Sequence, residues 1–77
     1  MVRYFRTDPP SPERLFRIDL AASPLVHDRL DRDGWVSVPE LLDRVLTDDN
    51  LGWTEVDAAE AEALGLRIRP GVSALSE

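Results

Sequence analysis

The chain has 77 residues, 43% of them hydrophobic, a formal net charge of −6 and no cysteine. A chain this short buries only about 60% of the surface it exposes when unfolded, which leaves room for one domain and not two. The missing cysteines exclude a disulfide framework and a thiolate zinc site, and the apolar content argues against wholesale disorder.

Val2 to Arg6 and Arg14 to Leu20 mix aromatic, β-branched and charged residues with partial period-2 alternation, so both read as strands. Between them, Asp8-Pro9-Pro10-Ser11-Pro12 cannot continue a ladder, because each proline removes a backbone donor. Alternation puts Phe16, Ile18 and Leu20 on one face of the second strand, the expected core face, with Leu15, Arg17 and Asp19 on the other. Ala21-Ala22-Ser23-Pro24 interrupts the pattern. Leu25 to Leu30 fits a third strand or a short helix, and the Asp31-Arg32-Asp33-Gly34 turn signal followed by Trp35-Val36-Ser37-Val38 favours the strand, with Val26 to Leu30 as the outgoing arm of a hairpin.

Pro39 opens a helix over about 40–46, with Leu41, Leu42, Val45 and Leu46 on one stripe, and Thr47 to Gly52 ends it in a polar loop. Asp57-Ala58-Ala59-Glu60 has capping-box spacing, and Val56 with Ala61 suits a hydrophobic staple. The helix that follows, 58–64, is expected to close at Gly65. Leu66 to Arg69 then suggests a short edge strand, and 71–77 a flexible tail. The expected fold is α+β, a single small domain over 1–77. An antiparallel meander of three or four strands, within residues 2–38, packs one face against the two short helices. A winged helix is the alternative if residues 24–30 are helical.

The charge is uneven: residues 1–30 carry +1 and residues 31–77 carry −7. All nine basic side chains are arginine. A net negative chain disfavours non-specific binding to nucleic acid or an anionic membrane and leaves a basic protein partner open. No apolar run approaches the ~20 residues that span a bilayer, and the opening Met1 to Arg6 lacks the apolar stretch of a signal peptide. A cytoplasmic location without a membrane partner is expected.

Gly34 and Glu40 match the sixth and twelfth positions of a calcium-binding EF-hand loop, with Asp31 and Asp33 at the third and fifth. Arg29 then falls at the first ligand position, where its charge opposes the ion, so no metal site is expected. His27 is the lone histidine, and Asp28 beside it on a strand points to the other face. The serines at 11, 23, 37 and 73 lack a nucleophile-elbow context, and no phosphate-binding loop or zinc-protease pattern occurs. A catalytic role and a cofactor are therefore not expected.

Arg3, Arg6, Arg14 and Arg17 cluster beside Tyr4, Phe5 and Phe16, an arrangement that suits either a nucleic-acid-binding sheet or arginines stacked on rings and paired with acids of the C-terminal half. The excess of acids favours the second. Trp35 and Trp53 are core residues or, where exposed, interface anchors. The candidate interaction surface is thus Trp35, Trp53, Arg3, Arg6, Arg14 and Arg17. The expected function is a non-catalytic protein–protein interaction or regulatory role, through a partner protein or a homodimer. A nucleic-acid-binding module is the alternative.

Gly34-Trp35-Val36-Ser37-Val38-Pro39-Glu40-Leu41-Leu42 resembles the winged-helix segment of the RNA 2′-phosphotransferase family, which implies the alternative fold only, since that family's catalytic half has no counterpart here. Over residues 3 to 64, the order of Arg3-Tyr4-Phe5-Arg6, a tryptophan with Pro39-Glu40-Leu41-Leu42, and Thr54 to Ala61 is similar to small uncharacterised proteins of high-GC actinobacteria and their phages. That resemblance implies a complete small protein and no particular function.

Overall fold

The structure, a computed structural model, describes residues 2–46 and 52–76, and the side-chain surroundings of 44–46 and 76 lie outside that description. Five strands form one antiparallel sheet: β1 (Arg3–Thr7), β2 (Leu15–Asp19), β3 (Val26–Asp31), β4 (Gly34–Ser37) and β5 (Trp53–Val56), in the order β4-β3-β2-β1-β5. Two helices accompany it, α1 (Glu40–Leu46) and α2 (Ala58–Ile68). The α+β meander expected from residues 2–38 is what forms. Residues 26–31 are a strand, so the winged-helix alternative does not hold.

Each connection has a local cause. The proline-rich link after β1 lacks amides to close the β1–β2 turn, and Thr7 supplies the closure. Its Oγ1 donates to the Pro12 carbonyl at 2.7 Å and accepts the Arg14 N–H at 3.1 Å. The β3–β4 turn is the two residues Arg32-Asp33. It closes on Gly34, whose φ of 125° is a conformation that side-chain-bearing residues rarely adopt. Asp57 caps α2 by accepting the Glu60 N–H at 2.8 Å, as the capping spacing requires.

The sheet is covered on both faces, where cover on one was expected. Leu15 and Phe16 are consecutive on the central strand, so they point to opposite sides, and both are buried. Leu15 joins Leu30, Ala61, Leu64 and Ala74 beneath α2, with Tyr4, Trp35, Val56 and Ile68 around them. Phe16 joins Phe5, Ile18 and Leu41 beneath α1, with Val38 and Trp53 alongside. Leu20, expected in the core, lies past the end of β2 and is 44% exposed. On the α1 stripe Leu41 is buried and Leu42 half-buried, whereas the side chains of Val45 and Leu46 and the loop residues 47–51 lie outside the described residues.

Three further differences concern the C-terminal half of the chain. β5, which lies outside the meander expected within residues 2–38, pairs with β1 through Tyr4↔Val56 to Thr7↔Trp53 and makes the fifth strand. Helix α2 does not end at Gly65 but runs to Ile68, so residues 66–68 are helical and no edge strand forms there. It stops because Pro70 disfavours helical backbone at Arg69, and the left-handed glycine is Gly71, with φ 84°. Gly65 instead admits a close neighbour: a Cβ built on it would lie 2.6 Å from the Ala74 Cβ. Residues 71–77, expected as a tail, include a 3-10 turn at Ala74–Ser76, and Ala74 is buried against α2. Ser73 Oγ ties this segment to α2 by donating to Glu62 at 2.6 Å.

Candidate interaction surface

Strand alternation distributes the six candidate side chains over both faces. Arg3 shares the α1 face with Phe5, and the register places Trp53 there too. Arg6, Arg17 and Trp35 lie on the α2 face. Arg14 stands exposed just before β2. The six form no single patch, because Arg3 and Arg6 are three residues apart on β1 and so point to opposite faces, and Arg17 and Trp35 lie on the face away from Trp53.

Most of these arginines are engaged within the chain. Arg3 donates from Nε and Nη2 to the two carboxylate oxygens of Glu55, at 3.1 and 2.9 Å, and its guanidinium lies 5.1 Å from the Phe5 ring. Those hydrogen bonds hold the Glu55 carboxyl below the usual glutamate range. Arg6 reaches Glu60 on α2 at 3.1 Å and Asp8 at 3.5 Å. Arg17 donates to Asp28 at 2.9 Å, and its guanidinium lies over the Trp35 ring at 4.1 Å. Arg67 of α2 donates to Glu13, and those hydrogen bonds lower the Glu13 pKa. These contacts fit the intramolecular alternative, in which charge separated along the sequence is matched in space.

The tryptophans belong to the packing of the two faces. Trp53 stacks on Phe16, with ring centroids 4.5 Å apart, and sits 6.2 Å from Phe5 in a tilted arrangement. Trp35 packs with the α2-side cluster, and its indole Nε1 is buried without a hydrogen-bond partner among the described residues.

Sequence reasoning passed over one polar pair: Ser37 Oγ lies 3.1 Å from Nδ1 of His27. They meet at the end of the β3–β4 ladder, where Ser37 pairs with Asp28 and the next residue, Val38, donates its N–H to the His27 carbonyl. Asp28 is turned to Arg17, so it does not orient the imidazole as the third member of a nucleophile–base relay would. In the candidate calcium loop, the Asp31 carboxylate accepts the Arg32 N–H at 2.8 Å. Among the described residues, no three metal-ligating side chains converge.

The surface carries shallow depressions. One of about 220 Å³ is lined by Arg3, Ile18, Asp19, Leu20 and Ala21, and one of about 360 Å³ by Arg32, Arg67, Ile68, Arg69 and Pro70. Its more distinctive features are the sheet edges, β4 and β5. The bond from Asp8 N–H to the Gly52 carbonyl, 2.7 Å, fixes the phase of the β1–β5 ladder, and that from Val38 N–H to the His27 carbonyl, 2.8 Å, fixes the β3–β4 ladder. Because hydrogen-bonded and non-bonded pairs alternate, Trp53 and Glu55 on β5, and Trp35 and Ser37 on β4, turn their backbone groups outward.

No family model, curated protein or solved structure matches the chain. No helix among the described residues is long and apolar enough to cross a membrane.

Proposed function

We propose that the chain is a non-catalytic interaction or regulatory module that docks on a partner protein. The observation that carries this reading is the β4 edge of the sheet, to which no further strand is added among the described residues and which turns the backbone groups of Trp35 and Ser37 outward. An extended segment adds to such an edge through main-chain hydrogen bonds, with neighbouring side chains supplying selectivity. Arg3, Arg6 and Arg17, the residues a nucleic-acid sheet would use, already meet Glu55, Glu60 and Asp28, and the chain as a whole is negative. That weighs against phosphate as the ligand.

The test is affinity capture from the native host with identification by mass spectrometry, then reconstitution of the binary complex from purified components. A nucleic-acid binding assay and a measurement of solution mass run beside it. The expected result is a protein complex or self-association, with no binding to duplex or single-stranded nucleic acid at physiological salt. Salt-sensitive nucleic-acid binding that is lost when Arg3, Arg6, Arg14 and Arg17 are replaced, with neither a protein complex nor self-association, would overturn the reading.

A further inference from the structure

Among the described residues β4 ends the sheet on its side, and its sequence Gly34-Trp35-Val36-Ser37 contains none of the charges or prolines that natural edge strands use against pairing. Its register with β3 runs unbroken from Asp28↔Ser37 to Asp31↔Gly34, so no bulge turns the edge away. Gly34 and Val36 direct their backbone groups to β3, and Trp35 and Ser37 direct theirs outward. Val36 is 41% exposed, and the pairs Phe16↔Arg29 and Arg29↔Val36 place it on the α1 face, the face of Phe16 and Val38.

Acids stand at both ends of this edge. Asp31 and Asp33 flank the hairpin turn, Glu40 and Asp43 lie in the first turn of α1 just beyond β4, and all four are exposed. Asp31 accepts only the Arg32 N–H, and neither it nor Asp33 nor Glu40 forms an ion pair among the described residues. The described cations beside them are Arg32, between the two aspartates, and Arg29, half-buried in β3 opposite Val36. The acids outnumber these arginines, and the chain as a whole carries −6. The β5 edge differs: Glu55 stands on the strand itself, and Glu55 and Glu60 are matched by Arg3 and Arg6.

We infer that the β4 edge takes an extended segment of a partner protein, one with an uncharged, β-branched centre and basic residues at both ends. This rests on the docking reading above and specifies what the partner presents. The main chain of the segment bonds to the outward N–H and C=O groups of Trp35 and Ser37 and extends the sheet by one strand. Its central side chain lies beside Val36, and pairing takes both out of water. Arg29, on the same face, opposes a cation at the centre, whereas Asp31 and Asp33 at one end and Glu40 and Asp43 at the other attract cations there. β4 carries no cation of its own, so the edge of a second copy does not answer this description.

The probe is an acetylated and amidated peptide, Val-Thr-Val flanked on each side by a pair of lysines, titrated into the isotopically labelled full chain. Saturable amide shifts should centre on Trp35 and Ser37, whose hydrogen exchange slows as peptide is added, while Val36, already bonded to β3, is protected throughout. One added strand buries less than the roughly 800 Å² per partner of a standard interface, so the midpoint is expected in the upper micromolar range. Replacing the lysines by glutamates should weaken binding by about tenfold or more, and added salt should weaken the lysine peptide several-fold.

On the protein side, Asp33→Asn together with Glu40→Gln should weaken binding several-fold. Ser37→Pro removes an outward donor that β3 does not use, so it should abolish binding and leave the melting temperature unchanged. N-methylation of the central amides of the peptide blocks the same pairing from the other side, and it carries the test should Ser37→Pro disturb the fold. Equal binding of the glutamate peptide, binding that survives N-methylation, shifts centred on β5, or no saturable shift at millimolar peptide would each overturn the proposal. Any of these removes only the basic strand at β4, and the broader reading is then judged by reconstitution with a captured protein.

Discussion

Trp35 is where local costs and gains are most closely opposed. Its ring carries the Arg17 guanidinium at 4.1 Å, while its indole N–H is buried with no acceptor among the described residues. A face-on cation contact contributes about 0.5–2 kcal/mol, and an unsatisfied buried donor costs about 1–3 kcal/mol. Trp35→Phe keeps an aromatic face and deletes the donor, so urea unfolding should place it within about 1 kcal/mol of the parent despite the smaller ring. Trp35→Ala removes the face as well and should cost about 2–4 kcal/mol. If the phenylalanine variant loses as much as the alanine variant, the indole N–H has a partner and the opposition described here is absent.

At the scale of elements, α2 is defined at its start by its own sequence, and its passage through Gly65 is matched to what packs on it. The Asp57 carboxylate satisfies a first-turn amide, and Val56 and Ala61 meet in the same apolar cluster, as a staple requires. Farther along, Gly65 sits inside the helix, where it is a poor helix former by about 1 kcal/mol relative to alanine. The turn at Ala74 packs directly over it, and a Cβ there would overlap the Ala74 Cβ. Gly65→Ala is therefore expected to destabilise the protein by about 1–3 kcal/mol, overpacking outweighing the gain in propensity. Ala74→Gly in the same background should recover part of the loss. A Gly65→Ala protein that melts higher than the parent would mean that the closing turn does not pack on α2.

For the whole molecule, ion pairs stitch together segments whose charges differ along the sequence: Arg3 with Glu55, Arg6 with Glu60, and Arg67 with Glu13. Glu13 and Glu55 are held below their ordinary values chiefly by arginine hydrogen bonds, and Asp19 chiefly by the Ala21 N–H. A carboxylate whose pKa is lower in the folded chain contributes stability above its unfolded value, and that contribution is lost as pH falls through the folded value. The melting temperature is therefore expected to hold from neutrality to about pH 5 and to fall below about pH 4, where unfolded carboxylates take up protons. Glu13 and Glu55 are exposed and Asp19 is half-buried at the end of its strand, so each contribution is small. Glu55→Gln should show a shallower acid decline than the parent. A melting temperature that rises on acidification would show instead that relief of the net charge of −6 outweighs the pairs.

Much of this architecture is written in short-range signals. Period-2 alternation marks β1 to β4, Asp33-Gly34 marks the hairpin turn, Pro39 marks the start of α1, and Asp57 to Glu60 marks the start of α2. Each acts within a few residues, so the amino-acid sequence alone determines it. The rest depends on which distant segments meet. Trp53–Val56 becomes a strand because β1 offers it an unpaired edge, and four residues beside a polar loop carry too weak a pattern to announce that. Leu15 reads as the outward partner of Phe16 until α2 covers its face, and Gly65 reads as a helix end until Ala74 arrives against it. The candidate surface follows the same division: the arginines and tryptophans are evident in the chain, but the alternation of strands and the order β4-β3-β2-β1-β5 decide which are consumed within the fold. Which backbone groups an edge turns outward is a property of the assembled sheet that no local run of residues encodes.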